Sequence, residues 1–133
     1  MIAIDTNAVV RLLIEDDPVQ SQTIQNVVLQ AEKNNIPILM LSEVLVETVW
    51  VLESIYQATR DEISKFIDEL AASSPFIIAD ADVIRDAVRI YRDNGDFADL
   101  VIVFQAMKHQ AHTLFSFDKK LKKTFPEFVK DEI

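Results

Sequence analysis

Five acidic side chains are the residues of this sequence that could carry chemistry. Asp5 and Asp118 each follow a short apolar run, Glu47 lies in a very apolar helical segment, and Asp96 and Asp99 stand three residues apart. Carboxylates that are crowded together repel one another, and loss of solvation raises their pKa values. A hard divalent cation relieves both effects, and magnesium or manganese suits ligands that are all oxygen. If the fold brings these acids together, the sequence predicts a metal site.

The spacing of apolar residues predicts strands that alternate with helices. Strands are predicted at 2–4, 36–41, 75–78 and 112–116, with a short edge strand near 128–129. Helices are predicted at 8–14, 18–34, 43–54, 60–72, from 80 or 82 to 93, and 97–110, with a helical turn at 119–123. This alternation predicts an α/β fold. We expect a single compact domain over residues 1–133, with a mostly parallel sheet of four to five strands flanked by helices.

Several local features follow from single residues. Thr6 or Asn7 is predicted to cap the first helix, and Ser42 is predicted to cap the helix that follows the second strand. The only glycine, Gly95, is expected at the end of a helix, where the backbone angle φ is positive. The first strand is expected to be an inner strand of the sheet.

The predicted topology carries the five acids to one edge of the sheet. Asp5 ends the first strand, and Asp118 comes two residues after the fourth. Glu47 lies a little over one turn into the helix that leaves the second strand. The helix that enters the fourth strand runs antiparallel to it, so its start, with Asp96 and Asp99, returns to the same edge. Parallel α/β sheets bind ligands at this carboxyl edge.

These acids also have an ordinary structural interpretation. Asp5, Asp96 and Asp118 could serve only as helix caps. Glu43 competes with Glu47 for a site role, because the two lie one turn apart on the same helix face. The metal-site interpretation therefore depends on four separate regions meeting.

Composition limits the classes of protein. The chain has 133 residues, of which 50% are hydrophobic, and this length suits one domain. It has no cysteine, which excludes disulfides and thiolate metal sites and is compatible with the expected cytoplasmic location. No apolar run reaches the roughly 18 residues of a membrane span, and no basic segment precedes the first strand as in a signal peptide. We therefore expect no membrane association.

Phosphodiester hydrolysis is the chemistry that best fits an all-oxygen site of this kind. A bound magnesium ion keeps several waters, lowers the pKa of a bound water and stabilises charge on phosphorus. No signature of a covalent nucleophile is present, since there is no cysteine and neither histidine is flanked by an obvious Ser/Asp arrangement. The sequence predicts attack on phosphorus by a metal-activated water.

Four separated motifs resemble the PIN-domain family, in matching order and over essentially the whole chain. They are Ile4-Asp5-Thr6-Asn7, the segment 42–52 with Glu47, Asp96-Phe97-Ala98-Asp99, and Phe115-Ser116-Phe117-Asp118. The chain most resembles the small single-domain ribonuclease toxins of bacterial toxin–antitoxin pairs, the VapC group.

That resemblance implies a role for each matching residue. Asp5, Glu47, Asp99 and Asp118 would be the catalytic acidic quartet and would hold Mg²⁺ or Mn²⁺, with Asp96 as an additional metal ligand. Two polar residues, Thr6 and Ser116, would orient ligands or the waters of the metal. The resemblance also implies an endoribonuclease that is often a homodimer and is held inactive by a cognate antitoxin protein.

Two other functions stay open at this point. One is a PIN-like module that has lost its chemistry and binds a partner or RNA. The other is a phosphatase or dehalogenase in which Asp5 is the nucleophile. That chemistry commonly has a second acid two residues further on, but position 7 is asparagine.

The formal charge of −9 argues against a general nucleic-acid binder, because duplex affinity depends on basic side chains that neutralise phosphates. The basic residues are not spread evenly, however. Lys119, Lys120 and two further lysines directly follow Asp118, and three arginines, at 85, 89 and 92, form a helical stripe. Both groups could be solvated faces. The alternative is that Lys119 and Lys120 contact RNA that is single-stranded or in a loop, where bases are exposed.

The RNA interpretation predicts that Lys119→Ala and Lys120→Ala each weaken RNA binding. Each lost phosphate contact should also flatten the dependence of affinity on salt, because fewer counterions are released. Binding isotherms of a single-stranded RNA over a range of salt concentrations measure both effects. An unchanged salt slope would assign these lysines to a solvated face.

Overall fold

The computed structural model of the protein describes residues 1–132, which form two compact units, Met1–Ala81 and a second unit from Asp82 onward. The first contains β1 (Ile2–Ala3), α1 (Thr6–Leu13), α2 (Pro18–Lys33), β2 (Ile38–Met40), α3 (Ser42–Ser54), α4 (Arg60–Ala72) and β3 (Phe76–Ile78). The second contains α6 (Phe97–Lys108), β4 (Leu114–Phe115), α7 (Lys119–Thr124) and β5 (Val129–Lys130), after α5 (Ala81–Tyr91), which begins at the boundary. The alternation of strands and helices confirms the predicted α/β class. That residues 1–133 act as one domain stays a prediction.

A three-stranded parallel sheet organises the first unit. Its strand order is β1-β2-β3, with Ile2 opposite Ile38 and Ile38 opposite Phe76. Within this sheet β1 lies at an edge, so the prediction of an inner first strand is wrong. Ile38 and Met40 of the central strand point to the same face of the sheet and are fully buried, whereas Leu39, on the opposite face, is partly buried.

The remaining strands form a second sheet of two parallel strands. Leu114 pairs with Val129, and the Ser116 N–H donates to the Lys130 carbonyl oxygen at 2.9 Å. The prediction of one sheet with four to five strands is therefore wrong in its count, although the parallel pairing is confirmed. The reason is that β4 finds its hydrogen-bonded partner in β5, and local sequence patterns do not specify pairing partners.

Apolar helix faces form the core of the first unit. In α4, Ile63, Ile67 and Leu70 recur at helical spacing and are buried, while α1 packs against both α2 and α3. In α3, Leu45 and Leu52 are fully buried, but Trp50 is 62% exposed. Trp50 therefore lies outside the core of this unit.

A smaller apolar cluster holds the second unit together. Val103, Leu121 and Val129 are buried, and three partly buried hydrophobic residues, Leu114, Phe125 and Phe128, pack against them. The cluster joins α6, α7 and the two-stranded sheet, so α7 has a fixed place despite its six residues.

The link between α5 and α6 depends on Gly95. Its φ angle is +96°, and a Cβ there would lie 3.2 Å from Cδ1 of Leu100. The predicted positive φ of Gly95 is confirmed, although α5 ends at Tyr91, before the turn that contains the glycine.

The helix caps differ in part from those predicted. Asp5, and not Thr6 or Asn7, is the N-cap of α1, because its carboxylate accepts the Ala8 N–H. Ser42 is the first residue of α3 and not its cap. The capping box at the start of α4, formed by Thr59 and Glu62, is a feature that the apolar spacing did not indicate.

None of the helices within residues 1–132 combines the length and apolar character that a membrane crossing needs.

Replacement of Thr59 by Ala is expected to lower the free energy of unfolding by about 1 kcal/mol, because the Glu62 N–H loses its acceptor. Urea unfolding followed by circular dichroism measures the change. Thr23→Ala is the matched control, since Thr23 is exposed in the middle of α2 and its hydroxyl donates only to the Val19 carbonyl of its own helix. Equal stability losses in the two variants would contradict a capping role.

Candidate functional site

The carboxyl edge of the three-stranded sheet carries an acid after each strand. Asp5 follows β1, Glu43 lies in the first turn of the helix after β2, and Asp80 follows β3. Because the strands are parallel, these ends lie on the same side of the sheet. Asp5 is exposed, and its Oδ1 accepts the Ala8 N–H at 3.0 Å. Thr6, the first residue of α1, is half-buried beside it in the chain.

Glu47 lies on α3, the helix against which α1 packs. It is exposed, as is Glu43 one turn earlier. The Ser42 hydroxyl donates to the Glu43 carboxylate at 2.7 Å, and this bond is the main reason that the pKa of Glu43 lies below its usual value. Glu43 is therefore held by its neighbour, and Glu47 stays the predicted site residue of α3.

Asp80 is an acid that the sequence analysis treated only as the start of a helix. Its charge lies close enough to Glu43 to oppose the lowering of the pKa of Glu43. Its φ angle is +52°, which is uncommon for a residue other than glycine. The signal that could have identified it is its position directly after a strand, the same signal that identified Asp5.

Three predicted site residues come together in the second unit. Asp99 is half-buried in the first turn of α6, Asp96 is the N-cap of that helix, and Asp118 is the N-cap of α7. Burial raises the pKa of Asp99, and the negative charges of Asp96 and Asp118 raise it further. The charges of Asp96 and Asp118 therefore both act on Asp99, while a metal site shared by the three carboxylates stays a prediction.

Two of these carboxylates are fixed by backbone hydrogen bonds. Oδ1 of Asp96 accepts the Ala98 N–H at 3.2 Å, and Oδ1 of Asp118 accepts the Leu121 N–H at 3.0 Å. Capping occupies one oxygen of each carboxylate, which leaves Oδ2 for another ligand. The Oγ of Ser116 accepts the Asp118 N–H at 3.1 Å and so fixes the backbone that presents Asp118.

The lysines after Asp118 divide into two kinds. Lys122 pairs with Asp131 at 2.7 Å, and this hydrogen bond lowers the pKa of Asp131. Lys119 and Lys120, the predicted RNA contacts, are exposed at the start of α7. In the arginine stripe, Arg85 and Arg89 both lie near Asp86, with nitrogen–oxygen distances of 3.9 and 3.8 Å.

Asp96, Asp99 and Asp118, called the acidic trio below, have a donor chemistry that fits a hard divalent cation, since carboxylates are the oxygen ligands that such ions prefer. Across residues 1–132, no three Asp, Glu or His side chains stand close enough to form a preformed metal cage. Magnesium is usually held by one or two carboxylates and several waters, and does not require such a cage. That Asp5 and Glu47 share an ion with Asp96, Asp99 and Asp118 stays a prediction.

A comparison with protein-family models matches residues 2–125 to the PIN domain. Since the match covers nearly the whole chain, the protein belongs to the PIN-domain family. Searches of curated proteins and of solved structures each return no match. PIN domains are generally nucleases, so the family supports the predicted hydrolase class.

The raised pKa of Asp99 predicts a pH-dependent effect of Asp99→Asn on stability. The folded protein binds this proton more tightly than the unfolded chain does, so the neutral form favours folding. That contribution is present below the pKa of the unfolded chain, near 3.9, and is lost as the pH rises through the raised pKa. Asp99→Asn should therefore raise Tm near neutral pH.

At about pH 3, where Asp99 is mostly protonated in both states, the difference in Tm should be small. Thermal unfolding of both proteins at the two pH values measures this. Glu127→Gln is the matched control, because it removes one negative charge from an exposed position in the same unit. A lower Tm for Asp99→Asn near neutral pH would show that the ionised carboxylate stabilises the fold.

Proposed function

We propose that this PIN domain is a metal-dependent endoribonuclease that hydrolyses RNA phosphodiester bonds. The observation that carries the proposal is the electrostatic cluster of Asp96, Asp99 and Asp118, in which burial and mutual repulsion make a negative charge on Asp99 unfavourable. Binding of a cation to such a cluster relieves the repulsion between the carboxylates. Membership of a family of nucleases gives the cluster its chemical context.

In this proposal Asp5, Glu47, Asp99 and Asp118 hold Mg²⁺ or Mn²⁺ or its waters, and Asp96 is a further ligand. The ion would lower the pKa of a bound water and offset the negative charge of the phosphate. Because Oδ1 of Asp96 and Oδ1 of Asp118 each accept a helix N–H, these carboxylates have a fixed orientation before any ion arrives. Ser116 supports this orientation by accepting the Asp118 N–H. Thr6 is proposed to orient a ligand or a water of the metal.

The substrate that we propose is single-stranded or loop RNA. Lys119 and Lys120 are exposed immediately after Asp118, so they can meet phosphates next to the one that is cleaved. The other lysine of this segment with a described ion pair, Lys122, is held by Asp131. Contacts of this kind are electrostatic and independent of base sequence.

The wider role that we propose is that of the toxin in a type II toxin–antitoxin pair, acting in the cytoplasm as a homodimer. Support comes from the resemblance of the four motifs to that group and from the exposed apolar side chains of Trp50 and Ile55, which offer contacts to a partner. The proposal requires that expression of the active protein arrests growth and that co-expression of the product of an adjacent gene restores it.

One observation favours a second candidate, a PIN-like module that binds RNA or a partner without chemistry. Within residues 1–132 the acids do not form a preformed group of three metal ligands. Calorimetric titration with Mn²⁺ separates the two candidates. The nuclease requires a heat of binding that disappears in Asp99→Asn, whereas the inactive module requires none.

Asp5→Asn and Asp99→Asn are each expected to abolish cleavage, by at least about a hundredfold, while the fold persists. In Asp5→Asn the fold should persist because asparagine caps a helix as well as aspartate does. In Asp99→Asn it should persist because no described hydrogen bond or ion pair of the Asp99 carboxylate is lost. The measurement is cleavage of a labelled RNA in Mg²⁺ and in EDTA, with Glu127→Gln as the control that should keep its activity. Full activity of Asp99→Asn, or cleavage that EDTA leaves unchanged, would contradict the metal-dependent mechanism.

A further inference from the structure

Two aromatic side chains next to the acidic trio have no role in the proposed hydrolysis. Phe115 is 47% exposed and Phe117 is 79% exposed, although folding normally buries phenylalanine. Their rings meet edge to face, with centroids 5.1 Å apart and an interplanar angle of 85°. The ring of Phe115 therefore packs against the ring of Phe117, while most of the surface of Phe117 faces solvent.

We propose that this aromatic pair is a stacking platform for an unpaired base of RNA. This proposal rests on the proposed nuclease function, since the platform would bind the base that adjoins the cleaved phosphate. Every base has a π face, so an exposed aromatic ring binds single strands with little dependence on sequence. Duplex RNA would not use such a platform, because its bases are already stacked.

The charged residues that directly follow the aromatic pair suit the binding of a nucleotide. Phe117 is followed directly by Asp118 of the acidic trio and then by exposed Lys119 and Lys120. A nucleotide presents an apolar base face beside an anionic phosphate, which the exposed lysines complement. A base on Phe117 would thus bring its flanking phosphates within reach of Lys119 and Lys120.

A protein partner fits this surface less well. A stable protein interface covers about 800 Å² on each side and has few charged residues at its centre. Around Phe117, the three following residues are all charged and exposed. Two rings set beside a run of exposed charge match a nucleotide more closely than the centre of a protein interface.

The platform is held in a fixed position relative to Asp118. Phe115 lies in β4, which pairs with β5, and the Ser116 N–H donates to the Lys130 carbonyl oxygen at 2.9 Å. The Ser116 Oγ in turn accepts the Asp118 N–H. Because backbone hydrogen bonds flank Phe117 on both sides, a stacked base would have a defined distance to the acids. Phe117 is therefore inferred to be a positioning residue for the substrate.

The test measures RNA binding without cleavage, in EDTA. The probe is a short single-stranded RNA with one 2-aminopurine, whose fluorescence is quenched when it stacks. Phe117→Ala is expected to weaken binding about tenfold and to abolish the quench, and Phe117→Tyr is expected to restore both. Phe117→Leu keeps an apolar side chain without a π face and should behave like Phe117→Ala. Leu29→Ala, which removes an exposed apolar side chain from α2, should bind RNA as the unchanged protein does.

Equal binding and equal quenching in Phe117→Ala and the unchanged protein would overturn the platform. So would a fall in molecular mass of Phe117→Ala by light scattering with RNA binding intact, since the ring would then belong to a subunit interface. Failure of the proposed function looks different, because it appears as no magnesium-dependent cleavage by the unchanged protein. The binding assay contains no magnesium and therefore reports on stacking independently of that result.

Discussion

The carboxylates of Asp5, Asp96 and Asp118 each accept a backbone N–H at the start of a helix, and the orientation of these three predicted site residues depends on this interaction. Capping places a negative charge where the helix dipole is positive, so each acid is stabilised locally. It also fixes the orientation of each carboxylate through one oxygen. The interpretation as a helix cap and the interpretation as a site residue, which are alternatives in the sequence, are therefore compatible in the structure.

Asp99 differs from the capping acids in that its charge is opposed by its surroundings. It is half-buried in the first turn of α6, near two other carboxylates, and both conditions raise its pKa. A protein keeps such an arrangement at a cost in stability, which is typical of sites that bind a cation or a proton. The charge distribution around it is also uneven. Lys122 pairs with Asp131, whose carboxylate also interacts with the charge of Lys119, and Lys119 and Lys120 are exposed directly after Asp118.

Local sequence patterns predicted most helices and the acids of the second unit. Apolar spacing placed the helices within a few residues, and Gly95 has the positive φ expected of it. A simple topological rule, that a helix entering a strand begins at the opposite end, predicted that Asp96 and Asp99 lie near Asp118. The charges of Asp96 and Asp118 both act on Asp99, and a metal site shared by the three stays a prediction. The topological rule could not identify Asp80 as a candidate site residue. It also could not distinguish Glu43 from Glu47, because that choice depends on which side chains meet.

The sequence by itself determined the helices to within a few residues, because glycine and apolar periodicity act over short segments, although it did not identify every cap. It also determined the family, because the four motifs and the family match both depend on residue types in order. The tertiary structure decided that β1 is an edge strand of a three-stranded sheet and that β4 pairs with β5. It also decided that Trp50 and Phe117 are exposed. Strand pairing and exposure are set by contacts between segments distant in the chain, and no local pattern encodes them.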